Sequence, residues 1–150
     1  MPCRYEIFSD INLVRITCTG RLTRDDLITL LDELDNHPDF HPNIDDLIDL
    51  REVTEIDISP DVGANLLDLM VGVTLRAKRA KRIAILVSSE TARESAAKFR
   101  EAMRRISGIK IGLFDSPRAA VEFLGRSGPK VSSLLSGMPG GEAELTLRSD

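Results

Sequence analysis

The spacing of apolar positions changes several times along the chain, and each change marks an element. Tyr5–Phe8 and Leu13–Thr19 are short β-rich runs on either side of the polar turn Ser9-Asp10-Ile11-Asn12. They predict an antiparallel hairpin whose second strand ends at Gly20. If Phe8 pairs with Leu13, the same register sets Cys3 opposite Cys18. Leu27, Leu30, Leu31 and Leu34 then keep helical spacing. Thr23 with Asp26 three residues later is the capping box that starts this first helix, aspartate standing in for the usual glutamate. His37-Pro38 ends it, because proline disfavours the α conformation in the residue before it.

Asp46–Leu50 reads as a strand, followed by a loop that carries Val53 and Ile56 into the core. Ser59-Pro60-Asp61 is a strong helix start, with serine at the N-cap and proline at the first helical position. Val62, Leu66, Leu69, Met70 and Val73 form the stripe of that second helix, which ends near Arg76–Arg79. Arg82–Ser88 is continuously apolar between its ends, as in a strand covered on both faces. Thr91 with Glu94 predicts a capping box for a third helix, which buries Ala92, Ala96, Phe99, Met103 and Ile106 and stops at Gly108. Lys110–Phe114 is the last strand, and Ser116-Pro117 opens a short helix anchored by Val121 and Leu124. The order β-β-α-β-α-β-α-β-α predicts an α/β fold: a mixed, mostly parallel sheet with an N-terminal antiparallel hairpin and four helices.

Composition narrows the class. The 150 residues suit one domain, and 42% hydrophobic with 29% charged residues excludes collagen, low-complexity disorder and a disulfide scaffold. Residues 1–126 are expected to be that domain. Residues 127–150 hold four Gly, five Ser and two Pro and read as a flexible tail, dispensable for folding. The longest aliphatic run, Ile83–Val87, is far short of a membrane span, and the N-terminus shows no apolar stretch behind a basic start. A cytoplasmic chain with Cys3 and Cys18 reduced is therefore expected. The net charge of −4 argues against nucleic acid as a partner. Charge is uneven, however: Leu22–Asp61 is strongly acidic, and Arg76–Arg82 carries five cations in seven residues. The basic run reads as a solvated helix end.

Catalytic machinery is not apparent in the residues. His37 and His41 are four apart, but Pro38 and Pro42 forbid the helix that would make them a metal pair. A nucleophile elbow and a glycine-rich phosphate loop are both absent from the sequence. Asp25-Asp26 and Asp45-Asp46 are adjacent carboxylates, which point apart on a helix or strand. The expectation is a chain that is not an enzyme and takes no cofactor and no metal.

One segment is distinctive: Asp49-Leu50-Arg51-Glu52-Val53-Thr54-Glu55-Ile56-Asp57-Ile58-Ser59-Pro60. It resembles the centre of the STAS, or SpoIIAA-like, anti-anti-sigma fold, where the pattern runs D-L-x-x-V-x-x-I-D-S-S-G-L. The element order resembles that family over residues 5–125, and the HPDF string resembles its branch of small uncharacterised bacterial proteins. The resemblance implies a regulatory protein-interaction module docking an unidentified protein, with Ser59 as the phosphorylated switch and Asp57 as its acidic neighbour. Ile58 and Pro60 depart from the pattern, and Ser59 also reads as a plain N-cap. Some members of that branch resemble CRAL-TRIO domains, which implies the alternative of a carrier for a small apolar ligand, a lipid or fatty acid. Its pocket would use Leu66, Leu69, Met70, Val73, Phe99 and Met103. No stable membrane insertion is expected, and homodimerisation stays open.

Overall fold

The computed structural model describes residues 2–41, 43–57, 81–104 and 108–126, together with 131, 134 and 135. Strand β1 (Cys3–Phe8) turns through a single 3₁₀ turn, Ser9–Ile11, and Asn12 in the left-handed conformation (φ 55°) into β2 (Leu13–Thr23). Helix α1 is Arg24–Asp35, β3 is Asp45–Asp57 and β4 is Lys81–Leu86. Helix α2 (Glu90–Met103), β5 (Ile109–Phe114) and α3 (Pro117–Phe123) complete the order. The strands lie side by side as β1-β2-β3-β4-β5, antiparallel between β1 and β2 and parallel thereafter. This is the mixed α/β sheet the alternation predicts. The expected second helix, from Ser59 to near Arg76–Arg79, lies outside the described residues.

The hairpin register is the one the pattern implies: Phe8 faces Leu13 and Cys3 faces Cys18. Two strands run further than expected. β2 continues past Gly20, which takes φ +68° within it, and β3 continues through Arg51–Asp57 in place of a loop. Each strand is the other's partner for this extension, from Thr19↔Glu52 to Thr23↔Asp57, with register shifts at Thr17/Thr19 and Gly20/Arg21. At each shift β3 carries one residue more than β2, and the pairing continues on either side.

Strand alternation divides the core between two faces. Leu13, Leu47, Ala84 and Leu86 point to the face covered by α3. On the other face, Val14, Ile16 and Cys18 pack under α1, while Ile83 and Ile85 pack under α2 with Ala92, Ala96 and Met103.

Leu134 and Leu135 are buried, at 0% and 3% exposure, in the cluster under α3, and Val131 packs against them. The guanidinium of Arg15 donates to the carbonyl of Leu134. The expected boundary at 126 is thereby corrected: a one-turn apolar stripe at i, i+3, i+4 docks on the core despite its Gly/Ser-rich surroundings.

Helix starts follow local chemistry. The Thr23–Asp26 capping box forms as expected, each backbone N–H bonding to the other's side chain at 2.9 and 3.3 Å. Ser116 caps α3 with Pro117 at its start. For α2 the cap is Ser89, whose hydroxyl accepts the Ala92 N–H at 3.1 Å, and not the expected Thr91. Accordingly, Ser89→Ala is expected to cost about 1 kcal/mol and Thr91→Ala much less. Urea denaturation of both variants checks this, and equal losses would contradict the cap assignment.

Candidate functional site

The start of β3 carries three carboxylates, and strand alternation sends two of them, Asp45 and Asp46, to opposite faces. Asp45 turns toward the α3 side, where it accepts the Arg82 backbone N–H at 2.8 Å and pairs with Arg126 at 3.0 Å. Arg126 also donates to the carbonyls of Ile11 and Asn12, both at 2.8 Å, tying the hairpin turn to the end of α3. Asp49 is held by its near neighbour Arg51 through three N–H donors at 2.9–3.0 Å.

Asp46 turns the other way and pairs with Lys81, the first residue of β4, at 3.2 Å. Both side chains are buried, 8% and 4% exposed. The Lys81 ammonium also lies 5.8 Å from the centre of the Phe40 ring. Burial pushes the Asp46 carboxyl above the usual carboxylate range, opposed by Lys81 and reinforced by Asp45. Lys81 itself is therefore a buried strand residue and not part of a solvated helix end; residues 76–80 of the basic run lie outside the described residues. Neither member of the pair stands out in the sequence, because the polarity of each is matched only by a residue 35 positions away.

The pair borders a cavity of about 170 Å³ between α1 and α2. The sheet supplies Ile16, Cys18, Ile48, Leu50 and Ile85 to its wall, α1 supplies Leu27, Leu30, Leu31 and Leu34, and α2 supplies Ser95, Ala96 and Phe99. Almost all of this lining is apolar, with Asp46 and Lys81 as its charged groups among the described residues.

The expected site residues fall in three places. Phe99 lines the cavity, as the carrier reading requires. Met103 does not: it is 1% exposed and packs beneath α2 on the sheet, because it lies a full turn beyond Phe99. Leu66, Leu69, Met70, Val73 and Ser59 lie outside the described residues. Asp57 is exposed at the end of β3 and is ion-paired with Arg21 of β2, which also meets Glu55 at 3.5 Å. His37 accepts the Asp39 backbone N–H through Nδ1 at 3.1 Å and stands edge-on to Tyr5, while His41 is exposed.

An open five-stranded mixed sheet, helices on both faces and an apolar cavity under two of them define an α/β domain of the STAS type. The chain belongs to the SpoIIAA-like family, whose sequence model matches residues 13–125. A similar solved structure is that of an uncharacterised protein of the DUF3478 family, with a SpoIIAA-like fold, from Shewanella loihica PV-4. The two chains are 23% identical over 81% of this chain and 93% of that one, with a TM-score of 0.55. No curated protein matches the chain. Among the described residues, no helix is long and apolar enough to cross a membrane.

Proposed function

We propose that this chain is a non-enzymatic binding module that takes a small apolar ligand, or the apolar end of a larger one, into the cavity between α1 and α2. The cavity itself carries the reading. The space is a partly open cleft walled by apolar side chains from the sheet, α1 and α2, the form a site for a small apolar ligand takes. A ligand bound there would replace missing van der Waals contacts. Among the described residues the Asp46–Lys81 pair is its charged feature and would orient a ligand that has one polar end. Ligand pockets combine apolar walls with a few polar groups in this way.

Native mass spectrometry of protein freshly purified from its own cells tests the proposal. A discrete added mass, lost on denaturation, is expected. Bare protein in every preparation would count against it.

A protein-docking role, with Ser59 as its switch, is a second reading that family membership favours. The exposed Asp57, held by Arg21 beside Glu55, supplies a charged surface next to that position. Under this reading Ser59→Asp abolishes capture of a partner that wild type and Ser59→Ala both retain, because added negative charge repels an acidic docking face. Identical capture by all three would remove it.

A further inference from the structure

The hairpin brings the chain's two cysteines together in a way neither the cavity nor the switch reading uses. Cys3 on β1 and Cys18 on β2 are direct cross-strand partners, with their sulfurs 3.1 Å apart. The Thr19 N–H donates to the Pro2 carbonyl at 2.8 Å, so Pro2 and Thr19 form a hydrogen-bonded pair. Antiparallel pairs alternate, which makes Cys3–Cys18 a non-hydrogen-bonded pair, the type with Cα atoms about 4.5 Å apart and side chains closest. That spacing lies within the roughly 4.4–6.8 Å that a disulfide spans. Little backbone movement separates two thiols from one bond.

We propose that Cys3 and Cys18 are a reversible thiol–disulfide couple, oxidised by a small peroxide, that staples the edge strand β1 to β2 beside the cavity.

Three further observations support it. At Cys18 the irregularity lies in the neighbouring strand, where β3 places two residues, Leu50 and Arg51, opposite it, while the β1–β2 register that sets Cys18 against Cys3 runs without a shift. Cys18 also forms part of the cavity wall, and the buried Cys3 sulfur lies 3.1 Å from it outside that wall, so a small uncharged oxidant in the cavity comes within one sulfur of the reacting thiol. The two thiols are unlike: the hydrogen bond with Cys18 pulls the Cys3 thiol down, while the same bond and burial push Cys18 up. Cys3 is therefore the sulfur that reacts first as a thiolate.

The step balances as follows. The Cys3 thiolate attacks one oxygen of hydrogen peroxide, the O–O bond breaks, and Cys3 sulfenic acid forms with hydroxide, which takes up a proton as water. The Cys18 sulfur then attacks the Cys3 sulfur, the S–O bond breaks, and the thiol proton leaves with the hydroxyl as a second water. Two thiols and one peroxide give one disulfide and two waters, and a dithiol reductant reverses the change.

The test uses the full chain, reduced, desalted and treated with a few equivalents of hydrogen peroxide. It is then denatured, alkylated and weighed intact. The expected result is a monomer about 2 Da lighter with neither cysteine alkylated, restored by dithiothreitol to two alkylated sites, and a linked peptide containing Cys3 and Cys18. The oxidised form is expected to melt about 5–10 °C higher, because the bond closes a loop of some 15 residues. Cys3→Ser and Cys18→Ser should each lack the 2 Da loss. Two alkylatable thiols after treatment would overturn the proposal, as would a gain of 32 Da without a cross-link or a disulfide formed only between chains. The wild-type mass decides the question even if a serine variant fails to fold.

Discussion

Truncation after Arg126 is expected to lower the thermal midpoint by about 6–24 °C. Leu134 and Leu135 are essentially inaccessible in the cluster with Leu13, Leu47, Ala84 and Leu86. Burying a leucine fully is worth about 1.5–3 kcal/mol, so removing both costs roughly 3–6 kcal/mol before any rearrangement. At this chain length each kcal/mol moves the midpoint about 2–4 °C. The cut also strips a cover from the sheet face and removes the carbonyl that Arg15 meets. Scanning calorimetry of the truncated chain beside a Leu134→Ala, Leu135→Ala variant checks the assignment. Both should fall together. A midpoint unchanged by the truncation would show that the two leucines add nothing to the core.

Lys81→Met is the second change with a large expected effect. It leaves the Asp46 carboxylate buried without its ammonium partner, and breaking one side of a buried ion pair costs about 3–5 kcal/mol. The pH dependence identifies the cause. The folded-state pKa of Asp46 is raised above its unfolded value, so the stability this group contributes is fully present below the unfolded pKa. It is lost as pH rises through the folded one. Deleting Lys81 removes the attraction that holds the folded value down, so the window of loss extends to higher pH. The gap between wild type and Lys81→Met should therefore be wide at pH 7.5 and shrink toward pH 5. Urea midpoints at the two pH values measure it. A gap independent of pH would mean that lost packing, not the stranded carboxylate, sets the cost. Adding Asp46→Leu to Lys81→Met should recover most of the loss, since an apolar pair of similar volume replaces both charges.

Much of the fold was legible because it rests on local patterns. Alternation and turn position set the hairpin register down to Cys3 opposite Cys18, and the caps at Thr23 and Ser116 act over three residues. The length of β3 was not legible. Glu52, Thr54 and Glu55 look like loop residues, yet they are exposed positions of a strand of 13 residues that pairs along its length with the 11-residue β2. The cavity was readable only in part. Helical spacing puts Phe99 on a buried stripe and only the carrier resemblance implies a pocket there, whereas Asp46 and Lys81 meet through a contact between the starts of two strands far apart in sequence. Val131, Leu134 and Leu135 did carry a helical stripe, but it spans a single turn and the surrounding glycine, serine and proline outweighed it.

The central claim is that the space between α1 and α2 is a binding site. Titration with benzene, followed through the methyl resonances of Leu30, Leu31 and Ile85, tests it most directly. These side chains line the cavity, as does Ala96, which is 4% exposed. Saturable shifts confined to cavity methyls are expected for the wild type. Ala96→Leu fills part of the space and should abolish those shifts while the protein keeps its fold, at a stability cost of no more than about 1–3 kcal/mol. Shifts that do not saturate, or that survive unchanged in Ala96→Leu, would contradict the assignment.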